Sequence, residues 1–278
     1  MKKFELTSEF VTFLGKKLFR IKALVAFGDV AEGELGGFIE KENNLDQSGD
    51  AWVYGDAWVY GDARVYGNAR VSGNAQVYGD ARVYGNARVS GNAQVYGDAR
   101  VYGDAWVYGD AWVFGDAWVY GNARVYGDAR VYGDAWVYGN ARVYGNAWVY
   151  GNAWVYGDAW VFGDARVYGN AWVSGDAQVS GNARVSGDAR VSGDARVYGN
   201  ARVQCCRDYS AASCFGSENR TTTFFRTKDN GISVRCGCFY GTLEEFREKV
   251  KERHGDSRLA KEYLMLADLM EFRLSKDE

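Results

Sequence analysis

The chain has 278 residues and a net charge of −3, with 33 Lys and Arg against 36 Asp and Glu. That balance excludes bulk electrostatic capture of nucleic acid or of an anionic membrane surface. There is no Pro, and only one His, His254, so most acid–base mechanisms lack their usual residue.

Met1-Lys2-Lys3-Phe4-Glu5 carries basic residues with no apolar run behind them, so no secretory signal is expected. No stretch approaches the roughly 20 apolar residues of a membrane span. The five Cys are then expected as reduced thiols in a cytoplasmic protein.

Residues 1–48 read as an N-terminal cap. Phe4-Glu5-Leu6 and the run Leu18–Leu24 read as short strands, and Gly33, Gly36 and Gly37 as turns. Gly37-Phe38-Ile39 and Asn43-Asn44-Leu45 read as degenerate first rungs. Counting back in sixes puts Ile39 and Leu45 at the Ala position of the repeat that follows.

Residues 49–204 repeat one six-residue unit 26 times without insertion. Its positions are Gly, Asp or Asn, Ala, then Trp, Arg or Gln, then Val, then Tyr, Ser or Phe, with Gln204 closing the last copy. In an extended segment side chains alternate, so invariant Ala and Val point inward, and positions four and six point outward. Gly tolerates positive φ, and Asp or Asn tolerates the left-handed region, so Gly-[Asp/Asn] reads as a corner. A Gly every six residues with no 3.6-residue period rules out a stable helix.

Residues 205–278 change character. Thr221–Thr227 and Ile232–Phe239 are strand-like and flank Asp229-Asn230-Gly231, a hairpin signal. Thr242 with Glu245 forms a capping box ahead of a helix that Gly255 stops. Asp256 or Ser257 caps a second helix whose apolar face is read as Leu259, Leu266, Leu269 and Met270.

The unit Val-Tyr-Gly-Asp-Ala-Arg places an aliphatic residue at i and a small one at i+4. It resembles the hexapeptide repeat of left-handed parallel β-helices, the fold of the hexapeptide acyltransferases. The chain resembles more closely the YdcK-like and prophage-encoded proteins built from Gly-Asn-Ala-Arg-Val-type hexads, which share segments like Leu35–Glu42, Phe224–Lys228 and Val234–Phe239. It departs from the acyltransferases in placing Gly at i+2 and in having no His in the coils.

The resemblance implies an all-β solenoid: a single-stranded left-handed parallel β-helix with three hexads to each coil, an 18-residue period, ending in a small C-terminal α+β cap. The 26 hexads would make about 8.7 coils, roughly 42 Å at about 4.8 Å per coil. A flat solenoid of two hexads per coil is the structural alternative.

With three hexads to a coil, position four stacks in columns. One column runs Arg64, Arg82, Arg100, Trp118, Trp136, Trp154, Trp172, Arg190. The other two mix Trp, Arg and Gln. All 10 Trp occupy position four, and 17 of the 20 Tyr occupy position six. Aromatic and Arg ladders stabilise a solenoid by offset stacking and cation–π contact. An exposed apolar stripe also marks an interface. Arg64, Arg82, Arg100, Trp118, Trp136, Trp154 and Trp172 are therefore the interface candidates, for a homo-oligomer or a protein partner. A glycan is a lesser candidate, and nucleic acid is disfavoured by the charge balance.

The corner Asp residues invite calcium, but 11 of the 26 corners are Asn, which argues against it. Cys205, Cys206, Cys214, Cys236 and Cys238, with His254, form a candidate zinc set without the usual C-x2–4-C spacing. Buried free thiols are the competing reading, and a Cys238–His254 nucleophile pair a third. No catalytic residue or cofactor is assigned. The functional reading is a non-enzymatic scaffold or interaction protein, and the alternative is a transferase-like enzyme of the acyltransferase fold.

Overall fold

The computed structural model describes residues 2–216 and 218–275. It divides into two compact units, Met1–Asn152 and Ala153–Glu278.

In the first unit the hexads close three to a coil. Arg70 pairs with Trp52, Gln76 with Trp58 and Arg82 with Arg64, each three hexads on and each in a parallel strand. The two-hexad alternative is thereby excluded. Regular strand covers little more than positions four and five of each hexad, as in Arg64–Val65 and Gln76–Val77, so the extended piece is shorter than the four residues expected.

The coil ladder is indifferent to the residue at position four. Its N–H donates to the Ala carbonyl of the next coil, and the position-six N–H donates to the Val carbonyl. Arg64 N to Ala81 O and Tyr66 N to Val83 O are one such pair, at 2.9 and 3.1 Å. Every repeat Ala and Val is fully buried. Each Val contributes about 1.5–3 kcal/mol on burial.

The corner glycines meet two demands together. Gly79 has φ +69°, and a Cβ there would lie 2.9 Å from the Gly97 backbone nitrogen. Any side chain would force neighbouring coils apart.

The N-terminal cap opens with a longer hairpin than the sequence suggests. Strands β1 (Phe4–Phe13) and β2 (Lys16–Ala23) pair antiparallel across Leu14-Gly15, both at positive φ. Strand β3 (Leu35–Ile39) pairs antiparallel with β2 and parallel with Trp58–Val59, which joins the hairpin to the coils. Gly36 and Gly37 lie inside β3 rather than in turns. Their Cβ atoms would strike the Val53 and Ala57 carbonyl oxygens at 2.6 and 2.5 Å, so only Gly fits.

The first rungs are also out of the expected phase. Ile39 pairs with Val59 and Leu45 bridges to Val65, in each case two positions beyond the coil period. Both therefore fill the Val slot, not the Ala slot, which is too small for them. Leu45 and Val53 are eight positions apart rather than six, so the two extra residues fall between them. Gln47, in that stretch, accepts from the N–H groups of Lys3 and Phe4 at 2.7 and 3.3 Å. The insertion thus ties β1 to the first coil.

In the second unit the same coils end under a four-stranded antiparallel sheet of Tyr209–Phe215, Arg220–Arg226, Ile232–Cys236 and Phe239–Thr242. The Asn230 turn (φ +60°) lies between the second and third of these strands. The sheet meets the last coil through an Ala201–Thr227 bridge and the bond from Arg196 N to Thr223 Oγ1, 2.9 Å.

Helix α1 (Leu243–His254) starts at the expected capping box, with Glu245 N donating to Thr242 Oγ1 and Thr242 N to Glu245 Oε2. Gly255 ends it, and Ser257 caps α2 (Arg258–Leu274). The buried face of α2 is Ala260, Tyr263, Leu266, Ala267, Met270 and Leu274. Leu269 is exposed, one position off that stripe, against expectation.

Gly79→Ala and Gly193→Ala separate the two demands on a corner. Both have positive φ, but a Cβ at Gly193 meets nothing within 4 Å. Gly193→Ala is expected to cost on the order of 1–2 kcal/mol, and Gly79→Ala clearly more. Denaturant midpoints of the two variants check this, and equal losses would mean that close approach is irrelevant.

Candidate functional site

Position six builds the most regular columns. In the first unit one runs Tyr60, Tyr78, Tyr96, Phe114, Tyr132, Tyr150, with neighbouring ring centroids 4.8–4.9 Å apart and planes within 3°. A second runs Tyr66, Tyr84, Tyr102, Tyr120, Tyr138. Burial raises the phenol pKa values of Tyr66, Tyr78, Tyr84, Tyr96 and Tyr120, and Tyr60 and Tyr102 are each pushed up to about 12, with neighbouring Tyr adding to the effect.

Position four packs against these rings. Trp118 and Trp136 present an edge to Tyr102 and Tyr120 at 6.1 and 6.2 Å. Trp118 stacks on Trp136 at 5.0 Å, and in the second unit Trp154 stacks on Trp172 at 5.1 Å. All four are half-buried. On another face Arg88 and Arg124 cover the two sides of Trp106, at 4.9 and 5.2 Å. These contacts are structural, since each Trp already has neighbours along the column.

One Trp departs from the outward pattern. Trp52 is fully buried, because the N-terminal cap folds over it. Phe27 and Phe4 pack edge-on at 5.4 and 6.2 Å, and among the described residues the indole N–H finds no partner. Lys3 sits beside it, donating to the carbonyls of Ser48, Gly49 and Ala51. Burial pulls its pKa down to about 8, against the pull of Asp46 and Asp50.

The column Arg64, Arg82, Arg100 is different. The three follow one another in strand register, and Arg64 and Arg82 are exposed. Arg100 lies 4.5 Å over Trp118. Among the described residues their guanidinium groups make no ion pair and donate no hydrogen bond. Like charges one coil apart repel by about 1 kcal/mol even at the dielectric of water.

Two residues ahead of each stands an exposed Asp. Asp62, Asp80 and Asp98 precede the three Arg, and Asp116 and Asp134 precede Trp118 and Trp136. This acidic column was legible at the 18-residue period but escapes a reading that treats Asp and Asn as equivalent. They are not equivalent in the structure either. Asn68 donates to Asn86 and Asn86 to Asp104, and Asn74 to Asn92 and Asn92 to Asp110. The amide donates along the chain direction, and Asp ends the run because it can only accept.

The candidate zinc set is not gathered. Among the described residues no three His, Cys, Asp or Glu are placed to hold a metal ion together. Nor are the thiols buried: Cys205, Cys206, Cys214 and Cys238 are exposed, and Cys236 is half-buried and accepts from Thr222 Oγ1 at 3.1 Å. Cys236, Cys238 and His254 do line one cavity of about 480 Å³. His254 lies there against Tyr263, with ring centroids 5.8 Å apart.

Parallel strands recurring every third hexad, an Ala/Val interior and stacked outward columns define a β-solenoid repeat protein. Its coils match the YdcK beta solenoid repeat at residues 63–79, 75–91, 81–94, 93–109, 123–139, 135–151, 159–175, 177–193 and 195–204. The repeats are thus YdcK-like. No curated protein is significantly similar to the chain. No described helix is long and apolar enough to cross a membrane.

Two measurements check this chemistry. Alkylation followed by mass spectrometry should modify four thiols quickly and Cys236 slowly. A phenol with a raised folded-state pKa stabilises fully below its unfolded value and loses that contribution as pH rises through the folded one. Phenolate absorbance should therefore lag behind free Tyr, and the denaturation midpoint should fall between pH 10 and about 12.

Proposed function

We propose that this protein is a non-enzymatic scaffold that associates with a second copy of itself through the face carrying Arg64, Arg82, Arg100, Trp118 and Trp136. The observation that carries the proposal is an Arg column without ion pairs among the described residues, beside an Asp column of the same pitch in which Asp62 is held by Lys41. A stack of like charges is not explained by coil stability, whereas the aromatic stacks are.

The two columns are self-complementary. In a two-fold pair, residue i of one copy meets j of the other and j meets i. The Arg column of one copy then faces the Asp column of its partner, and both sets of pairs form together. Both copies share one coil spacing, so the match extends along the face. Trp118 and Trp136 supply the apolar part, in keeping with the enrichment of Trp and Arg at interface centres. The exposed thiols suit a reducing cytosol, where the proposal places the protein.

Light scattering tests this. The wild type should exceed the 30.9 kDa of one chain, and its mass should fall as salt screens the columns. Arg64→Asp with Arg82→Asp should reduce the mass to that of a monomer, as should Trp118→Ala with Trp136→Ala. Adding Asp62→Arg and Asp80→Arg to the double Arg variant exchanges the columns and should restore association. A wild type that stays monomeric, or charge variants of unchanged mass, would sink the proposal.

A further inference from the structure

Beside the turn between strands Ile232–Cys236 and Phe239–Thr242, the C-terminal unit holds a cavity of about 480 Å³. Its volume falls in the range of small-ligand sites. The walls are aromatic: Phe246 meets Phe239 at 5.6 Å and Tyr263 at 5.7 Å, the latter edge-on. The lining carries Arg220, Lys249 and Arg253 against a single carboxylate, Glu218.

The helix dipole alone accounts for cations in the last turns of α1, where Lys249 and Arg253 lie one turn apart. It does not account for Arg220, which comes from the sheet. Arg220 reaches the cavity across Gly237, which has φ +57° and whose missing Cβ would sit 3.3 Å from Arg220 Nη1. Lys249 is shared with Glu252 and Arg220 with Glu218, both at exposed positions where such pairs are weak. Among the described residues Arg253 has no ion-pair partner. Cations from two elements therefore converge on one apolar cavity with a net positive lining.

We infer that this cavity binds a small organic anion with a flat aromatic body, of the aryl carboxylate, sulfonate or phosphate class. The rings of Phe239, Phe246 and Tyr263 take the apolar body, and Arg220, Lys249 and Arg253 take the acid group. Cys238, exposed on the same lining, reports occupancy, because a bound ligand shields its thiol. This site is independent of the self-association face.

The test uses the full chain and two dyes of similar body, the anionic 8-anilinonaphthalene-1-sulfonate and the uncharged N-phenyl-1-naphthylamine. The sulfonate should bind at one saturable site by fluorescence and slow alkylation of Cys238 but not of Cys205. Arg220→Gln with Arg253→Gln should weaken the sulfonate about tenfold, the loss expected for a hydrogen bond to a charged group, and leave the neutral dye unchanged. If that variant loses its helical circular dichroism, Lys249→Gln carries the same comparison. Unsaturable sulfonate binding, equal protection of Cys205 and Cys238, or equal losses for both dyes in a folded variant would each overturn the inference.

Discussion

Adjacent coils meet backbone to backbone at their corners, and the rest of each solenoid unit follows from that contact. A Cβ at Gly79 would crowd Gly97, and the same holds at corner after corner. The corner must therefore be Gly, and its positive φ turns the chain without a side chain in the way. The inward positions of each coil are left to Ala and Val, every one of them fully buried. The ladder bonds then run from position four to Ala and from position six to Val, with no demand on the outward side chain. The repeat is rigid at three positions and permissive at the others for one geometric reason.

Stacking multiplies whatever is placed outward. An aromatic ring over an aromatic ring gains at every coil, and so does Arg over Trp, as at Arg88, Trp106 and Arg124. Arg over Arg and Asp over Asp lose at every coil, yet the face of Arg64 carries both columns. The Asn runs show that corner columns can be arranged to bond internally, since Asn68, Asn86 and Asp104 do so. Asp80 and Asp98 forgo that bonding and present charge instead, while Asp62 accepts from Lys41 at 2.6 Å. This contrast within one repeat, rather than exposure alone, distinguishes the Arg64 face from its neighbours.

The coil was legible because its causes are local: alternation, a left-handed corner and an exact period are all written in one short hexad. The capping box at Thr242 and the stop at Gly255 were legible for the same reason. What escaped depends on distant packing. Trp52 carries the same local signal as Trp58, and only the fold-back of Phe4 and Phe27 buries it. The phase of Ile39 and Leu45 was misread because a two-residue insertion has no signature until the strands are paired. Leu269 was placed on the wrong face of α2 because Tyr263 and Ala267, rather than leucines, define the buried stripe. The Arg and Trp columns were visible at the 18-residue period, whereas the acidic column required Asp and Asn to be read as different residues.

The permissive surface and the filled interior also divide the molecule's chemistry. A coil whose inside is fully buried Ala and Val leaves its chemistry to its outer faces, where side chains recur at the coil pitch. A cavity needs irregular backbone and large side chains, and the C-terminal sheet and helices supply both around Phe239, Phe246 and Tyr263. The thiols and the one His lie in that segment as well, beyond the last hexad. A repeat selected for identical stacking cannot place one unusual residue in its interior without disturbing the coils on either side. Chemistry that needs a particular residue at a particular point is therefore pushed to the ends of the array, where the period is broken already.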